Sequence, residues 1–153
     1  MKAPQVVLFA ADEWLANQVR AVVADHRWLL RESRQIGAFA KQFDGRRPSI
    51  AVVSFDAGAV RPELAEMMAR LAAEHPEVAL VAVTAAKITE DHRPAWTAAL
   101  LDLGCRWVLY PPLTRAAIED LFGGCMAALT ARMKWPAAEK AIDLAAGGYE
   151  EGP

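Results

Sequence analysis

The clearest hydropathy feature of the chain is the run Pro48-Ser49-Ile50-Ala51-Val52-Val53-Ser54-Phe55-Asp56. Residues 50–53 are continuously apolar with no polar alternation, the pattern of a strand covered by helices on both faces. Pro48 opens it at the strand position where a missing N–H costs least. The strand is expected to stop at Ser54, with Asp56-Ala57-Gly58 as the turn and Arg61-Pro62-Glu63 as a helix start. In open α/β sheets ligands sit beyond the carboxyl ends of the strands, which makes Ser54 and Asp56 positions of interest.

Four further apolar runs alternate with helical spacing. Residues 5–10 hold Val6-Val7-Leu8-Phe9, followed by Leu15, Val19, Val22 and Val23 on a helix whose N-terminal orphan N–H groups the Asp12 carboxylate suits. Trp28-Leu29-Leu30, with a polar end, predicts a short strand at a sheet edge. A short helix follows over Ile36, Phe39, Ala40 and Phe43, ending near Asp44-Gly45. After the central strand, Val60, Leu64, Met67, Met68 and Leu71 mark a helix running to His75-Pro76, and residues 78–83 form another apolar strand. Thr89-Glu90-Asp91 looks like a capped start for a helix striped by Trp96, Leu100 and Leu103 and ended by Gly104. Pro94 falls in its first turn or marks a late start. Residues 106–110 predict a fifth strand, stopped by Pro111-Pro112. Thr114 then caps a long helix striped by Ile118, Leu121, Phe122, Cys125 and Leu129.

Five β-α units of this kind require a parallel sheet with helices on both faces. The expected domain is residues 1–133. Residues 134–153 are expected to be a C-terminal extension, with a possible helix over 137–146 and a glycine-rich acidic end that is flexible.

Composition narrows the function without naming it. The 153 residues are 54% apolar and 24% charged with a net charge of −2, ordinary values for one globular domain and no electrostatic footprint for nucleic acid. No apolar run reaches the roughly 18 residues of a membrane span, and none resembles a signal peptide, so a cytoplasmic protein is expected. Cys105 and Cys125 lack metal-ligand spacing and are expected to be buried, reduced thiols. His26, His75 and His92 lie far apart and are expected to be solvated. Gly123-Gly124 marks either a close contact or a kink in the last helix.

The ends of the strands carry a resemblance. Val81-Ala82-Val83-Thr84-Ala85, and the run from Ala99 through Leu103-Gly104-Cys105-Arg106-Trp107-Val108-Leu109-Tyr110 to Pro111-Pro112-Leu113, are similar to the matching stretches of bacterial response-regulator receiver domains. The resemblance covers residues 5–133. It implies a flavodoxin-like (CheY-like) α/β fold with a five-stranded parallel sheet in the order 2-1-3-4-5. In such domains a phosphoryl group is taken by an aspartate after the third strand. An acidic pair after the first strand holds Mg²⁺, and a Ser or Thr and a Lys meet the phosphoryl oxygens.

Carried onto this sequence, the acidic pair falls on Ala11 and Asp12, the acceptor on Ser54, the hydroxyl on Thr84 and the lysine on Pro111. Three of these five positions have lost their chemistry, which resembles a degenerate pseudo-receiver. The X-Pro bond of Pro111-Pro112 is a candidate for cis. Asp56 is a possible alternative acceptor, and Asp12, Glu13 and Asp56 are weak candidates for a divalent ion.

The expected function is a stand-alone, phosphorylation-independent scaffold, not an enzyme, with no cofactor. It would dock a protein partner, or a second copy, through the fourth helix, fifth strand and fifth helix, with Trp96, Trp107 and Tyr110 as candidate anchors. Trp135 and the extension after it are further candidates for that contact. The alternatives are a small-ligand or nucleotide sensor using the strand-end crevice, and a receiver phosphorylated on Asp56.

Overall fold

A computed structural model describes residues 2–10, 12–56, 58–59, 61–84 and 88–134. Expectations placed on Ala11, Val60, Trp135 and the C-terminal extension therefore lie outside the described residues. The strands are β1 (Gln5–Phe9), β2 (Leu29–Ser33), β3 (Ser49–Phe55), β4 (Ala79–Thr84) and β5 (Trp107–Leu109). The helices are α1 (Glu13–His26), α2 (Ile36–Ala40), α3 (Pro62–Glu74), α4 (Arg93–Asp102) and α5 (Arg115–Lys134), with a 3-10 turn over Glu90–His92. All strand pairs are parallel, in the order β2-β1-β3-β4-β5. This is the flavodoxin-like arrangement that the receiver resemblance implies, and its parallel strands are what the alternation of elements predicts.

The period of two along each strand divides the core into two layers. Val6, Leu8, Ile50, Val52 and Val81 meet Leu15, Val19 and Val22 of α1 and Ile118, Phe122 and Met126 of α5. On the other face, Val7, Ala51, Val53, Leu80 and Ala82 meet Phe39, Met68, Leu71 and Leu100 from α2, α3 and α4. Both faces of the central strands are dry, which is why their sequences show no polar alternation.

The structure corrects several local expectations. The central strand does not stop at Ser54 but runs through it to Phe55, because Ser54 pairs with Val83 and Phe55 with Thr84. The short α2 ends at Ala40, and Phe43 is buried from the following turn, edge-on to Phe39 at 5.4 Å. Asp12 is the N-cap of α1, yet its carboxylate makes no capping bond; its backbone carbonyl accepts the Ala16 N–H at 3.3 Å. Thr89 caps nothing with its side chain either: its hydroxyl meets Nδ1 of His92 at 3.0 Å, and α4 begins late, with Pro94 in its first turn. Thr114 does cap α5, its hydroxyl accepting the Ala117 N–H at 3.1 Å.

On α5 the buried residues are Ile118, Phe122, Met126 and Leu129. Leu121 and Cys125 are only half-buried, so Cys125 is not the interior thiol that was expected, whereas Cys105 is. Gly123-Gly124 produces no break in α5: an added Cβ on Gly123 would only touch His26, and on Gly124 would meet nothing. The histidines are not simply solvated. His26 stacks on Trp28 at 4.3 Å, and Nδ1 of His75 lies 3.0 Å from Glu77.

One buried polar network was not anticipated. Gln5, fully buried at the start of β1, donates to the Ser49 hydroxyl at 2.9 Å and to the Gln42 carbonyl at 3.1 Å. It ties β1, β3 and the turn after α2 at the end of the sheet away from the crevice.

Candidate functional site

The crevice lies beyond the carboxyl ends of β1, β3 and β4, and two of its described side chains, Thr84 and Asp56, make local structural bonds. Thr84 is buried, and its hydroxyl donates to the Leu109 carbonyl at 3.2 Å, fastening β4 to the short edge strand β5. Ser54 is half-buried inside β3, and among the described residues no carboxylate or imidazole is bonded to it to act as a base. Asp56 is exposed, and its Oδ1 accepts the Gly58 N–H at 2.9 Å in a local turn. Pro111 is buried, and the Pro111-Pro112 bond is cis. Ala11 lies outside the described residues.

The neighbouring charges disfavour a cation. Arg20 grips Glu32 with two nitrogens at 2.7 and 3.1 Å, and reaches Glu13 at 3.4 Å. Arg34 approaches Glu13 at 3.8 Å. Hydrogen bonding to Glu32, with the nearby carboxylates, holds the Arg20 guanidinium above its ordinary pKa. Glu13, a weak metal candidate, thus sits between two guanidiniums that would repel Mg²⁺. Among the described residues no group of three His, Cys, Asp or Glu is placed to hold a metal ion. The small cavity beside β1 and β2, lined by Ala10, Asp12, Glu13, Arg20 and Arg34, has about 20 Å³ of space, roughly one water. This ion-paired cluster was not read from the sequence, where its charges are spread from Glu13 to Arg34.

The three candidate anchors separate into two environments. Trp96 is half-buried and packs on Phe55, with ring centroids 5.3 Å apart. Tyr110 is pinned against α4: its hydroxyl donates to the Arg93 carbonyl at 2.8 Å and lies 2.6 Å from the Thr97 hydroxyl. The Arg93 guanidinium sits over the same ring at 5.2 Å. Trp107 instead stands on the edge strand with 47% of its surface exposed, and Leu101 of α4 is exposed to a similar degree.

Beside Trp107 lies a groove of about 420 Å³ between β5 and α5. Leu121, Gly124, Cys125 and Ala128 form its apolar wall, and Arg106, Asp120 and Arg132 stand on it as charges. Leu121 and Cys125 leave the buried face of α5 because they belong to this wall. Burial raises the Cys125 thiol pKa, although a hydrogen bond with Trp107 and the charge of Arg106 act against the rise. The Cys105 thiol, deeper in the core, is pushed up to about 12 by burial. The groove was missed in the sequence; the Gly123-Gly124 pair was its one available signal, since Gly124 keeps the wall low.

Among the described residues no helix is long and apolar enough to cross a membrane. No family model matches the sequence, and no curated protein sequence matches it. Solved structures do. A CheY-like response-regulator receiver domain protein from Methanospirillum hungatei matches with a TM-score of 0.63 at 10% identity, over 86% of this chain and 99% of that one. The signal receiver domain of an HD domain-containing protein from Pseudomonas fluorescens matches with a TM-score of 0.68 at 12% identity, over 88% and 94%. A pilus assembly-related protein from Burkholderia pseudomallei matches with a TM-score of 0.60 at 19% identity, over 82% and 90%. At these identities the likeness is one of fold: the chain has the receiver-type fold.

Proposed function

We propose that this chain is a receiver-like signalling protein that works without phosphoryl transfer, docking a protein partner through β5 and the adjoining surfaces of α4 and α5. The observation that carries this is the joint occupancy of the crevice. On the receiver resemblance, Ser54 and Pro111 fall where an acceptor carboxylate and a lysine are needed, and Ala11 falls on one of the metal-binding acids. The remaining hydroxyl, Thr84, is spent on the Leu109 carbonyl. At the described positions that the resemblance matches to the acceptor and the lysine, a phosphoryl group would find neither a carboxylate nucleophile nor a cation to neutralise it. The protein is on this account not an enzyme and takes no Mg²⁺.

The docking surface is supported by Trp107, a large aromatic held half-exposed on an edge strand by the wall of α5. Aromatic side chains so placed are favoured anchors, because they supply contact area with little rotamer freedom to lose. Trp96 and Tyr110 serve differently, fixing α4 against Phe55 and the end of β5 so that the surface keeps one shape. A second copy of the chain is one form the partner takes; a component of a larger assembly, as the name of the Burkholderia neighbour suggests, is another. The net charge of −2 argues against nucleic acid as the partner, and the cytosol is the proposed location.

The test is intact-mass spectrometry after incubation with acetyl phosphate, with and without Mg²⁺. No added phosphoryl group is expected. An adduct that appears with Mg²⁺ and vanishes in Asp56→Asn would overturn the proposal and make Asp56 the acceptor.

A further inference from the structure

We infer that the groove between α2 and α3 is a second docking seat, whose occupant is a basic amphipathic helix of a partner protein. The inference goes beyond the β5 surface and does not rest on it.

The groove holds about 260 Å³ of space. Met67 and Leu71 of α3 form its floor, and Ile36, Gly37 and Ala40 of α2 form the wall across from them. The trough follows from the sequence of α2, which turns Phe39 into the core and leaves the small residues Gly37 and Ala40 outside. An added Cβ on Gly37 would meet nothing within 4 Å, so a side chain from outside has room to enter over the apolar floor.

Charge selects the occupant. Glu63, Glu66, Arg70 and Glu74 recur at intervals of three and four along α3 and so share the face that borders the groove. Glu66 and Arg70 pair with each other at 3.7 Å. His75 is engaged by Glu77 at 3.0 Å. Among the described residues neither Glu63 nor Glu74 makes an ion pair. The groove therefore presents one uncompensated carboxylate near each end of α3 with apolar surface between them. Their separation along the helix is about 16 Å at 1.5 Å per residue.

A helix laid along α3 matches this layout when basic residues at i and i+11 flank aliphatic ones at i+4 and i+7, four positions that fall on one helical face. The two carboxylates repel nucleic acid and anionic lipid, which leaves a protein as the class of partner that fits. The helices α2 and α3 cover the opposite face of the sheet from α1 and α5. On the β5 docking proposal, the chain could then hold two different segments together.

The probe is an Ala-rich helical peptide of about 18 residues with Lys at i and i+11 and Leu at i+4 and i+7, titrated into the full-length ¹⁵N-labelled chain. Its control carries Glu in place of Lys. The expected result is saturable amide shifts within residues 36–40 and 63–75 for the Lys peptide, and at least about tenfold weaker binding of the Glu peptide. Glu63→Lys/Glu74→Lys is expected to weaken binding of the Lys peptide by at least about tenfold, and Glu63→Gln/Glu74→Gln by less, both with the parent's melting temperature. Gly37→Leu fills the trough, keeps every charge and is expected to abolish saturation. Absence of saturable shifts at about 1 mM peptide, equal affinity for the two peptides, or undiminished binding by Gly37→Leu would each overturn the inference. Shifts in the same residues that grow with protein concentration without peptide would also overturn it, because the occupant would then be a second copy. Trp107→Ala is expected to bind the Lys peptide as the parent does, so failure here leaves the β5 proposal standing.

Discussion

Thr84 illustrates how a side chain of the right type can be given other work. The sequence places a hydroxyl where receiver domains use one, and the structure turns it onto the Leu109 carbonyl of a strand only three residues long. On the proposed function its role is structural, and Thr84→Val is expected to lower stability by about 1 kcal/mol, the net contribution of one such hydrogen bond. Urea unfolding should show a lower midpoint with an unchanged slope. A variant as stable as the parent would mean that the hydroxyl is held in reserve for a ligand. Asp12 and Asp56 were legible as residues of helix start and turn, but their partners were not. Capping preference is a property of residue type, whereas capping itself needs a carboxylate aimed at an N–H, and at Asp12 it is not. Asp56 does make its turn bond, to Gly58.

At the scale of elements, continuous apolar runs marked all five strands, and helical spacing marked the helices, because both layers of the core select on those periods. Ends and faces were harder. The sequence cannot fix the rotation of α5 about its axis, so Cys125 was assigned to a buried stripe that in the structure runs through Met126. The expected strand order did place β5 at an edge, but the sequence could not show the open groove beside it, which is what exposes Trp107.

Two glycines separate close packing from open space. Gly104 ends α4 with φ at +107°, and a Cβ there would collide with the Ala72 methyl of α3. Gly104→Ala combines backbone strain with overpacking and is expected to cost about 2–4 kcal/mol. Ala72→Gly in the same chain should relieve only the steric share. Gly124, inside α5 with nothing near its missing Cβ, should behave in the opposite way: Gly124→Ala is expected to stabilise by about 0.5–1 kcal/mol. Thermal or urea unfolding of the two variants checks both signs. Destabilisation by Gly124→Ala would mean that something packs against that glycine more tightly than the described residues do.

The whole molecule is a receiver-type sheet with a conventional two-layer core and an unconventional rim. One end of the sheet holds the ion-paired cluster of Arg20, Glu32, Glu13 and Arg34 beside the crevice. The opposite edge offers Trp107 and an apolar groove. A phosphoryl-driven switch would have to couple the two through the ends of β4 and β5. Those ends are joined by the Thr84 bond, while Tyr110 is locked to α4 by two hydrogen bonds and an overlying guanidinium. A ligand shifts a conformational equilibrium only through differential contacts with its two states, and the crevice supplies few. On the proposed function, one conformation with one binding edge is the consequence.

The most direct measurement is a two-dimensional amide NMR spectrum of the ¹⁵N-labelled chain, recorded with and without beryllofluoride and Mg²⁺ as a mimic of the phosphorylated state. The account predicts superimposable spectra, with the resonances of β5 and the Trp107 indole N–H unmoved. Saturable shifts that begin at Ser54 or Asp56 and extend through Thr84 to Trp107 would contradict it, because they would reveal a working switch joining the crevice to the edge.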